Sequence, residues 1–287
     1  IAFLTGRFDF IANAQANQAP TVVSVVTSNT FNGTTDNYPG GSISVNSGGV
    51  KTIYVNGLVE DLDGQGTIAN VRGVFHRSGA SGGNACSASG NDCYVVASCD
   101  LANDADPNRV SYSCRIDLQF YSDSTDPSGR FPAENWIAYV EVTDGTDTGT
   151  DGTLTKEMNS VLSLSYPSII EFGSRSVGDV TTSGNNNEMV VAQKGNVLAD
   201  VEVSMQNGLS CQVGTIPRGN VRWAITDVGY GGGGSTSLTT SPVDTNLNVA
   251  YGTDASPSPS KFLYWNISIP SVGGTCTGIT TISAIAH

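Results

Sequence analysis

Helical periodicity is nearly absent from this chain. Short β-branched runs bounded by Gly, Asn, Asp and Pro recur along its whole length instead. Such runs pack as half-buried strands, and their borders supply the turn chemistry that separates them. The pattern predicts strands at 21–28, 42–47, 51–61, 67–77, 93–100, 110–120, 135–144 and 155–164. A second set is expected at 168–173, 187–193, 199–206, 221–226, 247–251, 261–269 and 278–284. In the segment IAYVEVTD, Ile137, Tyr139 and Glu141 fall on one face and Ala138, Val140 and Val142 on the other. The fold class is all-β. Seven or eight short strands at this spacing read as an immunoglobulin-like sandwich, with a jelly roll or barrel as the alternative. With 287 residues the chain has room for two such units. The expected division is an N-terminal extension over 1–19, a sandwich over 20–165 and a second sandwich over 166–287. No Pro/Ser-rich linker separates them, so the junction near Tyr166 should be short and fairly rigid.

Composition narrows the function. Thirteen Lys and Arg face 26 Asp and Glu, a formal net charge of −13. A nucleic-acid binder needs a basic face, and docking on anionic lipid needs one too, so neither partner is expected. No stretch approaches the length of an apolar membrane span. The chain begins at Ile1, as expected where a secretion signal has been removed. Six cysteines are present, Cys86, Cys93, Cys99, Cys114, Cys211 and Cys276. No CxxC occurs and there are only two His, so disulfides in an oxidising compartment fit better than zinc. Pairing Cys99 with Cys114 centres a hairpin on LANDADPNR and leaves Cys86 to Cys93, although four clustered cysteines allow three connectivities. Cys211 and Cys276 would pair within the second unit.

Sites for chemistry are few. Asp61 and Asp63 open a DLDG sequence like the start of a calcium loop. The twelfth position is Arg72 rather than Glu, which excludes an EF-hand, and a hairpin turn is the simpler reading. Asp144, Asp147 and Asp151 in a Gly/Thr-rich stretch have the same two readings. No other cofactor is indicated. Asn32 and Asn266 stand in N-x-S/T triplets and are candidate glycosylation sites. His76 reads as a surface residue at a strand end. No GxSxG, HExxH or P-loop occurs, and nothing marks a pair such as Glu134 and Glu141 as an acid and base. Trp136, Trp223 and Trp265 fall within strand patterns and read as core. The chain is expected not to be an enzyme.

Several segments carry a resemblance. SYPSIIEFGSRSVGD, AQKGNVLADVEVS and FLYWNISIPSVGGTCTGITTISA resemble a secreted Ig-like sandwich module. VNGLVEDLDGQGTIANVRGVF and NWIAYVEVTDGT resemble surface Ig-like domains. Such modules occur in prokaryotic surface proteins and extracellular fibres, including donor-strand filaments. The resemblance implies a fold and an extracellular, cell-surface location.

The N-terminal stretch IAFLTGRFDFIANAQANQAP sets Ile1, Phe3, Phe8, Phe10 and Ile11 close together. An apolar tail of this kind must pack on its own unit or on another molecule. The bland reading is one more strand of the first sandwich. The sharper reading is donation of the strand to a neighbouring copy, which makes a filament because a head-to-tail interface does not close. The expected function is thus a structural subunit of a pilus-like extracellular filament, its partners copies of itself. The alternatives are an adhesin or surface module that contacts host-cell or surface glycan, and an accessory domain of a polysaccharide-active enzyme.

Overall fold

The computed structural model describes residues 16–38 and 41–286. These fold into strands and three short 3-10 turns. The first half holds β1 (Thr21–Ser28), β2 (Ser42–Ile43), β3 (Val50–Glu60), β4 (Asn70–Arg77), β5 (Cys93–Val96), β6 (Asp100–Asn103), β7 (Arg109–Gln119), β8 (Trp136–Thr143) and β9 (Thr148–Met158). They form two sheets, β1-β3-β7-β6 and β2-β9-β8-β4-β5. All their pairings are antiparallel except the short contact between β2 and β9.

Alternation explains why these segments are strands. Along β8, Trp136, Ala138, Val140 and Val142 are buried while Ile137, Tyr139 and Glu141 are half-buried. Along β7, Tyr112, Cys114, Ile116 and Leu118 face the same core. One hydrophobic cluster joins these side chains to Ile53 and Val55 of β3, and Phe75 stacks on Trp136 with ring centroids 5.1 Å apart.

The disulfides pair Cys86 with Cys93, Cys99 with Cys114, and Cys211 with Cys276. The expected strand 93–100 is two strands. The chain leaves the β4 edge after Val96 and joins the β7 edge at Asp100, so β5 and β6 lie in different sheets. Cys99 sits at that crossing and is tied to β7. Gly73 of β4 leaves room for the sulfurs, since a Cβ there would lie 2.7 Å from Cys114 Sγ. The Cys86–Cys93 pair instead covers the outer face of β4 at Val74, in a small satellite cluster.

The second half holds β10 (Leu164–Ser165), β11 (Asn187–Gln193), β12 (Ala199–Ser204), β13 (Leu209–Val213), β14 (Thr215–Ile216), β15 (Val221–Ala224), β16 (Thr236–Ser237), β17 (Val243–Asp244), β18 (Ser260–Ile267), β19 (Gly273–Thr277) and β20 (Thr281–Ala286). The sheets are β10-β11-β18-β15-β16, β17-β12-β20 and β14-β13-β19. A separate cluster built on Met189, Val201, Val203, Leu263 and Trp265 forms their core. Three expectations need correction. Residues 168–173 form no strand, 247–251 contribute only a bridge at Val249, and β9 starts at Thr148 rather than Thr155. The small sheet of β13, β14 and β19, which carries Cys211–Cys276, was not anticipated.

The halves meet at one end of the first half's sheets. Asn196, almost fully buried, accepts from the Val161 N–H (2.6 Å) and donates to the carbonyls of Ser122 (3.0 Å) and Asn159 (3.1 Å). Asp254 accepts from the Gly90 N–H at 2.8 Å and from the Tyr121 hydroxyl at 3.2 Å. Asn91 bonds the backbone at Gly252 and Asp254. The Arg130 guanidinium lies 3.6 Å from the centroid of the Tyr251 ring.

Candidate functional site

The tail residues Ile1, Phe3, Phe8, Phe10 and Ile11 lie outside the described residues. The root of the tail does not. Asn17 Nδ2 donates to Asp144 Oδ2 (2.8 Å) and Asp147 Oδ2 (3.0 Å), and the Gln18 N–H donates to Asp63 Oδ2 at 2.6 Å. These carboxylates sit on the β8–β9 and β3–β4 loops. The N–H groups of Asp147 and Thr146, with Asn17, hold the Asp144 carboxyl below its ordinary value. Pro20 then runs beside Gly149, where a Cβ would lie 2.0 Å from the Pro20 carbonyl oxygen.

This root lies at the end of the first half away from the junction. β9 starts beside it and runs to Met158, next to the Asn159–Asn196 contact. Its 11 residues span about 33 Å. Seven residues separate Phe10 from Asn17, a reach of at most about 25 Å.

Along the flank of the second half, from Tyr166 beside β10 towards Ile269, runs an open groove of about 1270 Å³ with mixed polar and apolar lining. Ile169, Phe172, Trp265, Ile269, Val272 and Ile282 line it. β18 places it there: Ser260 pairs beside the junction, and Ile267 lies about 23 Å further along. Pro167 and Gly173 bracket an irregular segment in place of the expected strand. Ile169 is 67% exposed on that segment, and nearby Val177 and Ile279 are 59% and 83% exposed. β20 borders the groove and pairs only with β12, so one of its edges lacks a strand among the described residues. Tyr166 gives its hydroxyl proton to the Ile282 carbonyl at 3.0 Å. The indole Nε1 of Trp265 is buried and has no partner among the described residues. The sequence signal was present in SIIEF, which read as a strand because it is short, apolar and bounded by Pro167 and Gly173.

The other candidates have structural partners. Asp61 is buried and accepts from the Asp63 N–H (2.9 Å) and the Thr67 hydroxyl (2.8 Å), closing a turn. Among the described residues no group of three or more His, Cys, Asp or Glu is placed to hold a metal ion. Asn32 is exposed, in a left-handed conformation at φ 54°. Asn266 is fully buried, its Oδ1 accepting from Thr181 at 2.8 Å, so the fold leaves no room for a glycan there, contrary to the sequence reading. His76 is buried, contrary to the surface reading. The loop closed by Cys86–Cys93 folds over it, leaving Nδ1 2.9 Å from the Arg77 carbonyl oxygen and Nε2 3.0 Å from Asn84 Oδ1. Glu134 is bound to Arg77 and to the Gly79 N–H. Trp136, Trp223 and Trp265 are all buried. Among the described residues no helix is long and apolar enough to cross a membrane.

No protein-family model matches this chain, and no curated protein matches it.

Proposed function

We propose that this protein is a structural subunit of an extracellular filament, made of two tandem Ig-like sandwiches, which polymerises when Ile1–Ile11 of one copy add a strand to the next. The observation that carries the reading is the pairing of two features, a tail rooted away from the junction and a groove beside an unpaired sheet edge in the other half. The apolar tail is rooted at the outer end of the first half. A groove with an apolar floor, beside the free edge of β20, runs along the flank of the second half. In this reading the tail of each copy serves the groove of a neighbour.

A groove of about 1270 Å³ also exceeds the roughly 300–1,000 Å³ of a small-molecule site. An extended strand supplies main-chain hydrogen bonds to the edge and alternate side chains to the groove. Three disulfides suit an oxidising, extracellular compartment. The role is structural, with no catalytic step.

The test is binding of a synthetic peptide of residues 1–15 to the chain lacking residues 1–12. Ile282→Asp should weaken this binding tenfold or more, by charging the groove wall. Undiminished binding by that variant contradicts the assignment.

A further inference from the structure

Lys156 stands apart from the other lysines. Its side chain is 3% exposed, at the end of β9, whereas Lys51 and Lys194 are half-buried and Lys261 is exposed. Its Nζ is in direct contact with Oδ2 of Asp36, in the loop after β1, and lies 3.5 Å from the Tyr38 carbonyl oxygen. The other carboxylate oxygen is held separately. Asp36 Oδ1 accepts from the Thr27 hydroxyl at 3.0 Å and from the Tyr38 N–H at 3.0 Å.

This is more than an ion pair requires. An amine faces one oxygen of a carboxyl group while two donors are aimed at the other, the arrangement that stabilises an oxyanion during acyl transfer. We propose that Lys156 and Asp36 condense into an intramolecular amide, a covalent cross-link between the loop after β1 and the last long strand of the first half, β9.

The step balances without an added reagent. Nζ passes one ammonium proton to Oδ2, leaving an amine against a carboxylic acid. The nitrogen lone pair attacks Cγ, and the carbonyl pair moves onto Oδ1, where Thr27 and Tyr38 receive it. A second proton passes from Nζ to Oδ2. The pair on Oδ1 then returns and expels Oδ2 as water. An ammonium and a carboxylate become one amide and one water, and the nitrogen keeps one hydrogen. Asp36 is 34% exposed on its side chain, which gives the water a way out.

The resting state is the ion pair. Burial pushes the Asp36 carboxyl up, but Lys156, the Tyr38 N–H and Thr27 outweigh it and hold it below its ordinary value. The reaction pays for proton transfer out of that pair, yet it need occur only once in the life of the molecule. Fixed contact between the reacting groups supplies the effective concentration such a reaction needs.

The consequence is mechanical. The cross-link would join positions 120 residues apart. Tension entering through β1 would pass from Asp36 to Lys156 and on to the second half, bypassing β3 to β8. The bond forms within one chain and does not depend on polymerisation.

Intact mass of the full chain, measured after reduction of the disulfides, tests this. The expected mass is one water, about 18 Da, below that of the sequence. Peptide mapping should place the loss in a branched peptide joining Lys156 to Asp36. Lys156→Arg and Asp36→Ala should each restore the full mass. A wild-type chain at full mass overturns the proposal, as does a loss of water that persists in Lys156→Arg.

Discussion

Arg77 ends β4 with its side chain 9% exposed and its guanidinium shared among Asp123, Asp92 and Glu134, under the ring of Phe131. Arg130 holds the other oxygen of Asp123 and stacks on Tyr251 across the junction. Burial pushes the Asp123 carboxyl above its ordinary value, although Arg130 and Arg77 pull it back. Removing one partner of a buried network strands the other charge. Arg77→Ala is therefore expected to cost about 3–5 kcal/mol at neutral pH, read by urea denaturation. A carboxyl raised in the folded state gains stability when protonated and loses it as pH rises through its folded value. The deficit of the variant should accordingly shrink as pH falls through that value. Gly57 of β3 is a second sensitive point. A Cβ there would lie 1.9 Å from the Ser24 carbonyl oxygen, which already accepts from Tyr112, beside the irregular register between Val22 and Ser24. Gly57→Ala should cost about 1–3 kcal/mol by the same measurement, through overpacking of the β1–β3 ladder.

At the scale of elements, the disulfides differ in what they hold. Cys211–Cys276 ties β13 to β19 across 65 residues of sequence, whereas Cys86–Cys93 closes a loop of seven. In the chain-entropy account the first contributes about 4 kcal/mol and the second about 2.5 kcal/mol. Paired Cys→Ser replacements should reproduce that order in thermal unfolding. The same elements mark how far the sequence could be read. β7, β8 and β11 were legible because one face of each is buried and carries apolar residues at alternate positions, and β1 because it is a run of β-branched residues. β13 and β19 were not. LSCQV and GGTCT are largely exposed, and their pairing depends on partners distant in sequence. β9 began earlier than expected because TGTDGT carries turn residues that a ladder to β8 overrides. The tail was conspicuous in the sequence, but the groove was not, since Ile169 and Phe172 read as an ordinary strand whether or not a partner strand lies beside them. The root of the tail carries its own pH dependence. Asp144 has a lowered carboxyl, so its contribution is present above the unfolded value and lost as pH falls through the folded one. Amide exchange at Asp147 and Thr146 should accelerate in that acid window, and Asp144→Ala should show the fast rate at neutral pH.

For the whole molecule, the account rests on polarity. Junction contacts from Asn91, Tyr121, Arg130 and Asn196 join the halves at one end of the first half's sheets. They leave the tail root at the outer end of the first half and the groove open along the flank of the second. A chain with a donor on one half and an acceptor on the other grows without closing. Burying several aromatic anchors at roughly 1.5–3 kcal/mol each, together with a main-chain ladder, is enough to hold such a contact. Negative-stain electron microscopy of the full chain beside the chain lacking residues 1–12 tests this most directly. The account predicts filaments from the full chain, and from the truncated chain only folded monomers that a stoichiometric peptide of residues 1–15 caps without polymerising. Filaments from the truncated chain, or none from the full chain, would contradict it.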